Sequence, residues 1–551
     1  MSLKPRAATE IPEETSRVAK AVFRKGNRYL RLRDTFGELF SSEDFKTLFH
    51  AEGKPALDPA RLALITLVQF AENLSDEAVA EAVRSRIDVK YLLALPLEDP
   101  GFDASVLCEF RSRLIDGNTE GLLFDNLLEH FRSHKLLRER GKQRTDSRHV
   151  LAAIHALNRL NCIGQTLRHC LNVLATVAPD WFRDIAKAEW IERYSKRVDL
   201  EHEVIPSKKA ERDLLVKTMA ADGLVLLQTV LSSTAPSWLA DVPAVKTLWR
   251  VWLQNFSWAN DGSLRLRTSE EIPPGRMFIG SPYDEEAPYS QKRSSTWVGY
   301  KVHLTESCEE DLPFIITHVE TTPATTQDFD VTKDIHDALA KQNLLPNEHL
   351  VDMGFLSANL LVSEKKDHQV DLIGPARHDQ RWQAWANKGF AAEHFKVDWD
   401  KQTLTCPAGH TSSSWTDATD NRNRANVKIK FSTEDCRACA YKADCTKAAR
   451  RTVTLQSRET HEALVAWRER ETSDEFKALY AKRAGIEATV SLGTRCFGLR
   501  RSRYFGLAKT RLQHLATASA MNLLRVADWL ADIPRATTRT PAFERVLTLA
   551  A

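Results

Sequence analysis

Three carboxylates stand out by their settings. Asp146 lies in the strand-like run "RTDSRHV", Asp352 ends the apolar run "EHLVD", and Glu487 sits in "YAKRAGIEATV", a helical stretch near the C-terminus. An Asp inside a first strand, an Asp ending a later one and a Glu on a following helix can converge at one sheet edge. Carboxylates held that close repel one another unless cations lie between them. Oxygen-only donor sets select hard cations, Mg2+ or Mn2+. Two such ions about 4 Å apart clamp a phosphodiester during in-line displacement. Each acid also has a plain structural reading. Asp146 can cap a helix starting near His149, Asp352 can make a turn before Met353, and Glu487 can pair with Arg483 one helical turn earlier. Asp284, in "SPYDEEAPYS", competes for the first place in the set.

Beyond Glu487 the charge is one-sided. From Ala488 to Ala527 there is no Asp or Glu, whereas Arg495, Arg500, Arg501, Arg503, Lys509, Arg511 and Arg525 all occur there. Tyr480, Arg483 and Glu487 are spaced by three and four, so a continuous helix puts them on one face. On that reading Arg483 and Tyr480 contact a phosphate backbone, and the basic segment holds DNA by charge without reading sequence. Tyr504, set among the arginines, can stack on an unpaired base or pack as an ordinary tyrosine.

Cys406 in "TCPAGH" and Cys436, Cys439 and Cys445 in "DCRACAYKADC" form a second group. They have the ligand count for tetrahedral zinc, with His410 close by; an iron–sulfur cluster and reduced structural thiols are the alternatives. Such a site stiffens a segment and does no catalysis. Cys108, Cys162, Cys170, Cys308 and Cys496 are isolated and read as core residues. His149, Asn158 and His303 fall near the proposed acids and read as structural polar groups, with a DNA or metal-water contact at His303 as the alternative.

The elements that must carry these groups follow from periodicity. The chain has 551 residues, 43% hydrophobic and 27% charged, with a net charge of +3. That is room for three to four domains of about 150 residues, and it excludes a polycation and a disordered chain. No apolar run approaches the roughly 18 residues that span a bilayer. The first residues lack a signal-peptide core, and the expected location is the cytoplasm, where thiols stay reduced. The first ~140 residues read as short helices. Asp58 caps one with Pro59 at its first position, Ser75 caps the next, and "DASVLCEFRSRLIDG" is a third. Their order suits a helix-turn-helix with Arg111 and Arg113 toward DNA; a helical bundle with solvated arginines is the alternative. Arg144 to Val150 reads as a strand. A helical stretch with Trp181, Trp190, Trp238, Trp249, Trp252 and Trp258 follows, and these are expected in its core. "WVGYKVHLTES", "PFIITHVETTPA", "EHLVD" and "QVDLIGPA" read as strands, with a helix between the second and third and another helical start after Asp352, as in a mixed α/β sheet.

These blocks together resemble the DDE transposases of bacterial insertion sequences. The signature Y-x2-R-x3-E-x6-K of those enzymes is matched by Tyr480, Arg483 and Glu487, with Thr494 where the Lys belongs and Arg495 directly after it. "TDSRHVLAAIHALNRL", "SPYDEEAPYSQKRSSTWVGYKVHLTES", "HLVDMGFLSANLL" and "GLRRSRYFGLAKTRLQHL" look like the branch called eleven-eighty-two, and "FDASVLCEFRSRL" is similar to its helical N-terminal domain. The likeness runs from about Arg24 to about Val526. It implies an α/β fold with an RNase H-like catalytic core. A helical N-terminal DNA-binding domain spans 1–140, and the core spans 141–165, 290–376 and 455–530. A Trp-rich helical insertion after the first strand (166–289), a Cys-containing insertion before the Glu helix (377–454) and a tail (531–551) complete it. It implies Asp146, Asp352 and Glu487 as catalytic Mg2+ or Mn2+ ligands. The DNA contacts expected are Tyr480, Arg483, Arg495, Arg500, Arg501, Arg503, Lys509, Arg111 and Arg113. The partners implied are double-stranded DNA, both element ends and target, and a second copy of the chain in the active complex, in a bacterial cytoplasm near the nucleoid. A non-catalytic DNA-binding repressor and a structure-selective nuclease are the rival functions.

Overall fold

The computed structural model describes residues 2–3, 10–154, 157–195, 206, 208–376, 381–385, 390–420, 424–535 and 542. The chain divides into two compact units. Unit 1 comprises 1–137, 147–326 and 488–551; unit 2 comprises 138–146 and 327–487.

Unit 1 is built on the helix Leu507–Trp529, buried along most of its length. Small side chains at Ala516, Ala518, Ser519 and Ala520 let neighbours approach closely. The helices Arg28–Phe36, Pro59–Ala71, Ser105–Asp116 and Leu122–Ser133 all pack on it. The expected caps are present: Asp58 accepts from the Ala60 amide with Pro59 following, and Ser75 accepts from the Ala78 amide.

The Trp-rich stretch folds as the helices Arg159–Val177, Lys209–Val230 and Pro243–Asn255 with shorter ones between. Trp190 and Trp252 are buried in its core and Trp181 packs at the edge. Trp238, Trp249 and Trp258 depart from the expected core placement, being 49%, 44% and 63% exposed. On Pro243–Asn255 the buried arc holds Val245, Leu248, Val251 and Trp252, which leaves Trp249 and Leu253 on the opposite arc.

Strand β1, Lys142–Leu151, runs from unit 2 into unit 1. In unit 1 its second half neighbours a long strand that pairs antiparallel on its other side. Its unit 1 neighbours in the sheet are β2 (Tyr289–Lys292), β3 (Ser295–Ser307) and β4 (Ile316–Pro323). β3 lies beside β1, with the Ala152 amide on the Val298 carbonyl, and pairs with β2 and β4. In unit 2 the first half of β1 pairs parallel with β5 (Glu348–Val351), and β5 pairs parallel with β6 (Asp371–Ile373). The helices Asp328–Lys341, Ala358–Asp367 and Arg458–Glu471 accompany these strands, and the Trp467 indole donates to the Gly374 carbonyl at 2.7 Å. Also in unit 2, a hairpin (Lys396–Asp398 with Thr403–Thr405) and a three-stranded sheet (Ser414–Thr419, Ala425–Lys430, Thr452–Gln456) surround a small core of their own. Among the described residues no helix is long and apolar enough to cross a membrane.

Candidate active site

The register of unit 2 brings two of the three acids together. β1 and β5 are parallel, and their last paired residues are Thr145 and Val351. Asp146 and Asp352 are the next residue on each strand. They therefore leave the C-terminal ends of neighbouring strands, whose backbones lie about 4.8 Å apart. A buried polar chain braces these strand ends. The Thr145 hydroxyl meets His349 Nε2 at 2.6 Å, His349 Nδ1 meets His336 Nε2 at 2.8 Å, and His336 Nδ1 meets Glu364 at 2.7 Å. Burial alone would raise the Glu364 carboxyl; His336, with Ser363 and His368, overrides it and holds the group below the ordinary range.

Asp352 accepts the Gly354 amide at 2.7 Å, so the turn reading of this residue describes a contact that is present. The open face of Gly354 looks at Asp352 and also at Asp328, a buried acid at the start of Asp328–Lys341. Asp328 is absent from the sequence-derived set because an acid in a first helical turn reads as an ordinary dipole partner. The cap reading of Asp146 does not hold, since Lys142–Leu151 is a strand.

Tyr480, Arg483 and Glu487 do not share one continuous helix as their spacing predicts. The run is broken into the helix Asp474–Ala481, a 3-10 turn Lys482–Ala484 and the helix Gly485–Cys496. Arg144 contacts this turn. Its guanidinium donates to the Lys482 carbonyl at 2.5 Å and packs against Gly485, where any β-carbon would collide with it. Arg144 stands two residues before Asp146, and only the polarity of a buried strand residue hinted at such a role.

Across the break Arg483 still reaches Glu487, Nη1 to Oε1 at 2.9 Å, and its Nη2 lies 3.3 Å from Asp146 Oδ2. One guanidinium thus bridges two of the acids. Burial opposes the Arg483 charge, but Asp146, Tyr480, Glu487 and Asp352 together raise its pKa. Burial also raises the Tyr480 hydroxyl; Arg483 opposes this, and Asp352, Asp146 and Glu487 add to it. The five groups form one electrostatic cluster. The Glu487 side chain is 63% exposed, the Asp146 side chain 18%. Among the described residues no three His, Cys, Asp or Glu side chains close to metal-ligand spacing.

Asp284, the competing acid, belongs to unit 1. There it accepts from the Tyr300 hydroxyl at 2.7 and 2.8 Å and from the Gly506 amide at 3.1 Å. His149 packs on the Trp297 ring, Asn158 caps Arg159–Val177, and buried His303 meets Thr322 at 3.2 Å.

The basic segment, also in unit 1, splits in two. Arg495, Arg500, Arg501, Lys509 and Arg511 are exposed. Arg503 is held by the Leu74 carbonyl and Asn73 over the Phe70 ring, and Arg525 by buried Glu306. The expected outward placement of Arg111 and Arg113 is corrected. Arg111 is buried, paired with Asp76 and set over the Tyr504 ring; Arg113 is half-buried, on the Leu48 carbonyl and the Phe49 ring. Acids and aromatics of neighbouring helices draw both inward, and Tyr504 is engaged from the same side.

Cys406, Cys436, Cys439 and Cys445 line one cavity in unit 2, together with His410, Lys442 and Arg451. Burial raises the Cys445 thiol; Arg451 opposes this, and Cys436, Cys406 and Cys439 add to it. Cys162, Cys170 and Cys308 are buried as expected, whereas Cys108 and Cys496 are exposed.

A family model described as "Transposase DDE domain" matches residues 405–527, and one described as "Transposase domain (DUF772)" matches residues 17–113. The two matches support a DDE-type transposase. The first includes the four cysteines, Tyr480, Arg483, Glu487 and the basic segment. The second covers the N-terminal helices with Arg111 and Arg113, and Asp146 and Asp352 lie outside both. No curated protein and no solved structure matches the chain.

Proposed function

We propose that the chain is an insertion-sequence transposase, of the eleven-eighty-two branch, that cleaves the ends of its element and joins them to target DNA. The observation that carries this reading is the parallel register that sets Asp146 beside Asp352, with Arg483 linking Asp146 to Glu487. The strand relations support an RNase H-like core: β4 and β3 beside β1 in unit 1, and β1, β5 and β6 in unit 2.

The donor chemistry fits Mg2+ or Mn2+. Asp146, Asp352 and Glu487 offer only carboxylate oxygens, and all three act on the same guanidinium. Asp146, Asp352 and Glu487 would hold the ions, which supply charge neutralisation and activation of the attacking oxygen. Arg483 leaves its carboxylate partners for a DNA phosphate, which it can grip with two N–H groups. Tyr480 contacts the same backbone. In the first reaction a water oxygen attacks phosphorus and the P–O3′ bond breaks, freeing the 3′-hydroxyl of the element. In the second that hydroxyl attacks a target phosphodiester and displaces its O3′. The protein supplies position and charge and forms no covalent bond to DNA. Arg495, Arg500, Arg501 and Lys509 bind DNA by charge; Arg111 and Arg503, committed to internal partners, do not belong to that surface. Two ends are processed by a dimer.

The test is incubation of the full chain with labelled DNA from the ends of the element encoding it, with Mg2+. Nicked ends and strand-joined products are expected. Asp352→Asn keeps the cap on Gly354 and loses more than about 100-fold in cleavage while still binding DNA. Binding without cleavage by the unaltered chain contradicts the proposal and favours a repressor. Cleavage without joined strands favours a nuclease.

A further inference from the structure

The cysteine-bearing segment of unit 2 has a feature that DNA cleavage does not use. Its core is small: Phe395, Leu404, Val427, Ile429, Phe431, Val453 and Leu455 are the buried members. A core of that size gives little stability by itself, and small folds of this kind are commonly stapled. At one end of it the four cysteines face a common cavity from two separate turns. The first turn follows the strand Thr403–Thr405. The Cys406 amide donates to the His410 carbonyl and the Gly409 amide to the Cys406 carbonyl, both at 2.9 Å, with Gly409 at φ +86. That left-handed position suits glycine. The second turn runs from the helix Thr433–Ala438, which carries Cys436, through Cys439 to Lys442–Cys445.

Arg451 closes the arrangement. It is 5% exposed. Its backbone amide donates to Cys436 Sγ at 3.4 Å, and its guanidinium donates to the Cys445 carbonyl at 2.9 Å and the Phe390 carbonyl at 3.1 Å, over the Phe395 ring. An amide aimed at a cysteine sulfur and a buried cation beside the same cavity both suit sulfur that carries negative charge.

We infer that Cys406, Cys436, Cys439 and Cys445 together bind one zinc ion in a closed, structural, four-sulfur site, with Arg451 and Lys442 offsetting the charge of the thiolates. Two turns contributing soft ligands around a cavity match tetrahedral zinc. His410 sits exposed at the rim and is not a ligand. The sulfurs line the cavity without converging, so the ion draws the two turns together. The strand Thr452–Gln456 begins next to Arg451 and is followed by the helix Arg458–Glu471, so the ion fixes the entry to that helix. This inference stands independently of the proposed function.

The test is metal analysis of the full chain, purified without chelator and free of any histidine tag. About one zinc per chain is expected, released as a mercurial titrates four thiols beyond the exposed Cys108 and Cys496. Cys439→Ser lowers the zinc content at least tenfold, while Cys496→Ser, a change at an exposed cysteine outside the cavity, keeps it. Should Cys439→Ser prove insoluble, Co2+ exchanged into the unaltered chain must show thiolate-to-metal charge transfer and the strong d–d bands of a tetrahedral four-sulfur site. Zinc-free protein with four freely reacting thiols overturns the inference. So does iron with inorganic sulfide in place of zinc, full zinc retention in Cys439→Ser, or a Co2+ spectrum of an oxygen-rich octahedral site.

Discussion

At the scale of single residues, Arg483 is the most informative side chain. It holds Asp146 at 3.3 Å and Glu487 at 2.9 Å, and only 12% of it is exposed. A lysine cannot reach both acids in the same manner, because its charge is one point and not a planar fork. Arg483→Gln therefore leaves two neighbouring acids without their shared cation. If Arg483 transfers to phosphate when DNA binds, this variant lowers the slope of log affinity against log salt by about 1, together with at least a tenfold loss of cleavage. An unchanged salt slope places Arg483 off the DNA. The pairing with Glu487 was legible from i,i+4 spacing. The contact with Asp146 was not, because it joins residues more than 300 positions apart, and spacing carries no information at that range.

At the scale of elements, the break between Asp474–Ala481 and Gly485–Cys496 positions the third acid. Arg144 seats its guanidinium against Gly485 and donates to the Lys482 carbonyl, which also accepts the Gly485 amide. Gly485→Ala puts a methyl group into that guanidinium. The guanidinium must shift to make room, so the expected cost is about 1 kcal/mol to unit 2, seen as a lower thermal transition with reduced cleavage. Adding Arg144→Ala restores part of the transition by removing the clash. A Gly485→Ala chain that melts and cleaves like the unaltered one contradicts this account of the break. The strands and helices were largely legible, because β1, β3 to β6 and the capped N-terminal helices follow hydrophobic period and cap chemistry. The break was not, since "KRAGIEA" has good helix formers on both sides of one glycine, and a tertiary partner decides the matter. The exposed Trp249 shows the same limit: a tryptophan count says nothing about which helical arc each ring occupies.

At the scale of the whole molecule, a net charge of +3 conceals strong local segregation. The acid-free stretch from Ala488 gives unit 1 its exposed Arg495, Arg500, Arg501, Lys509 and Arg511, while Arg503 and Arg525 are spent on internal partners. Charge counting identified the stretch but could not separate exposed cations from those held by internal partners. The same unit carries an acid sensitivity. His514 is fully buried on Leu507–Trp529 against Thr321, and burial depresses its pKa from 6.5 to about 3. Between those values the unfolded chain takes up this proton and the folded chain does not, so stability falls as pH falls through that window. The contribution is at most about 1.4 kcal/mol per pH unit. Melting at pH 4.5 and 6.5 checks it: His514→Asn should narrow the gap between the two transitions, and an equal gap in both proteins removes His514 as the cause.

The proposed function requires Asp146, Asp352 and Glu487 to hold one set of divalent ions at the end of a DNA strand. Its most direct measurement is anomalous scattering from Mn2+ in crystals of the full chain bound to a DNA end. Manganese bonded to oxygens of all three carboxylates is expected, with Arg483 moved from at least one acid onto a phosphate. Manganese bound elsewhere beside the scissile phosphate, with Glu487 or Asp352 outside its coordination sphere, contradicts it.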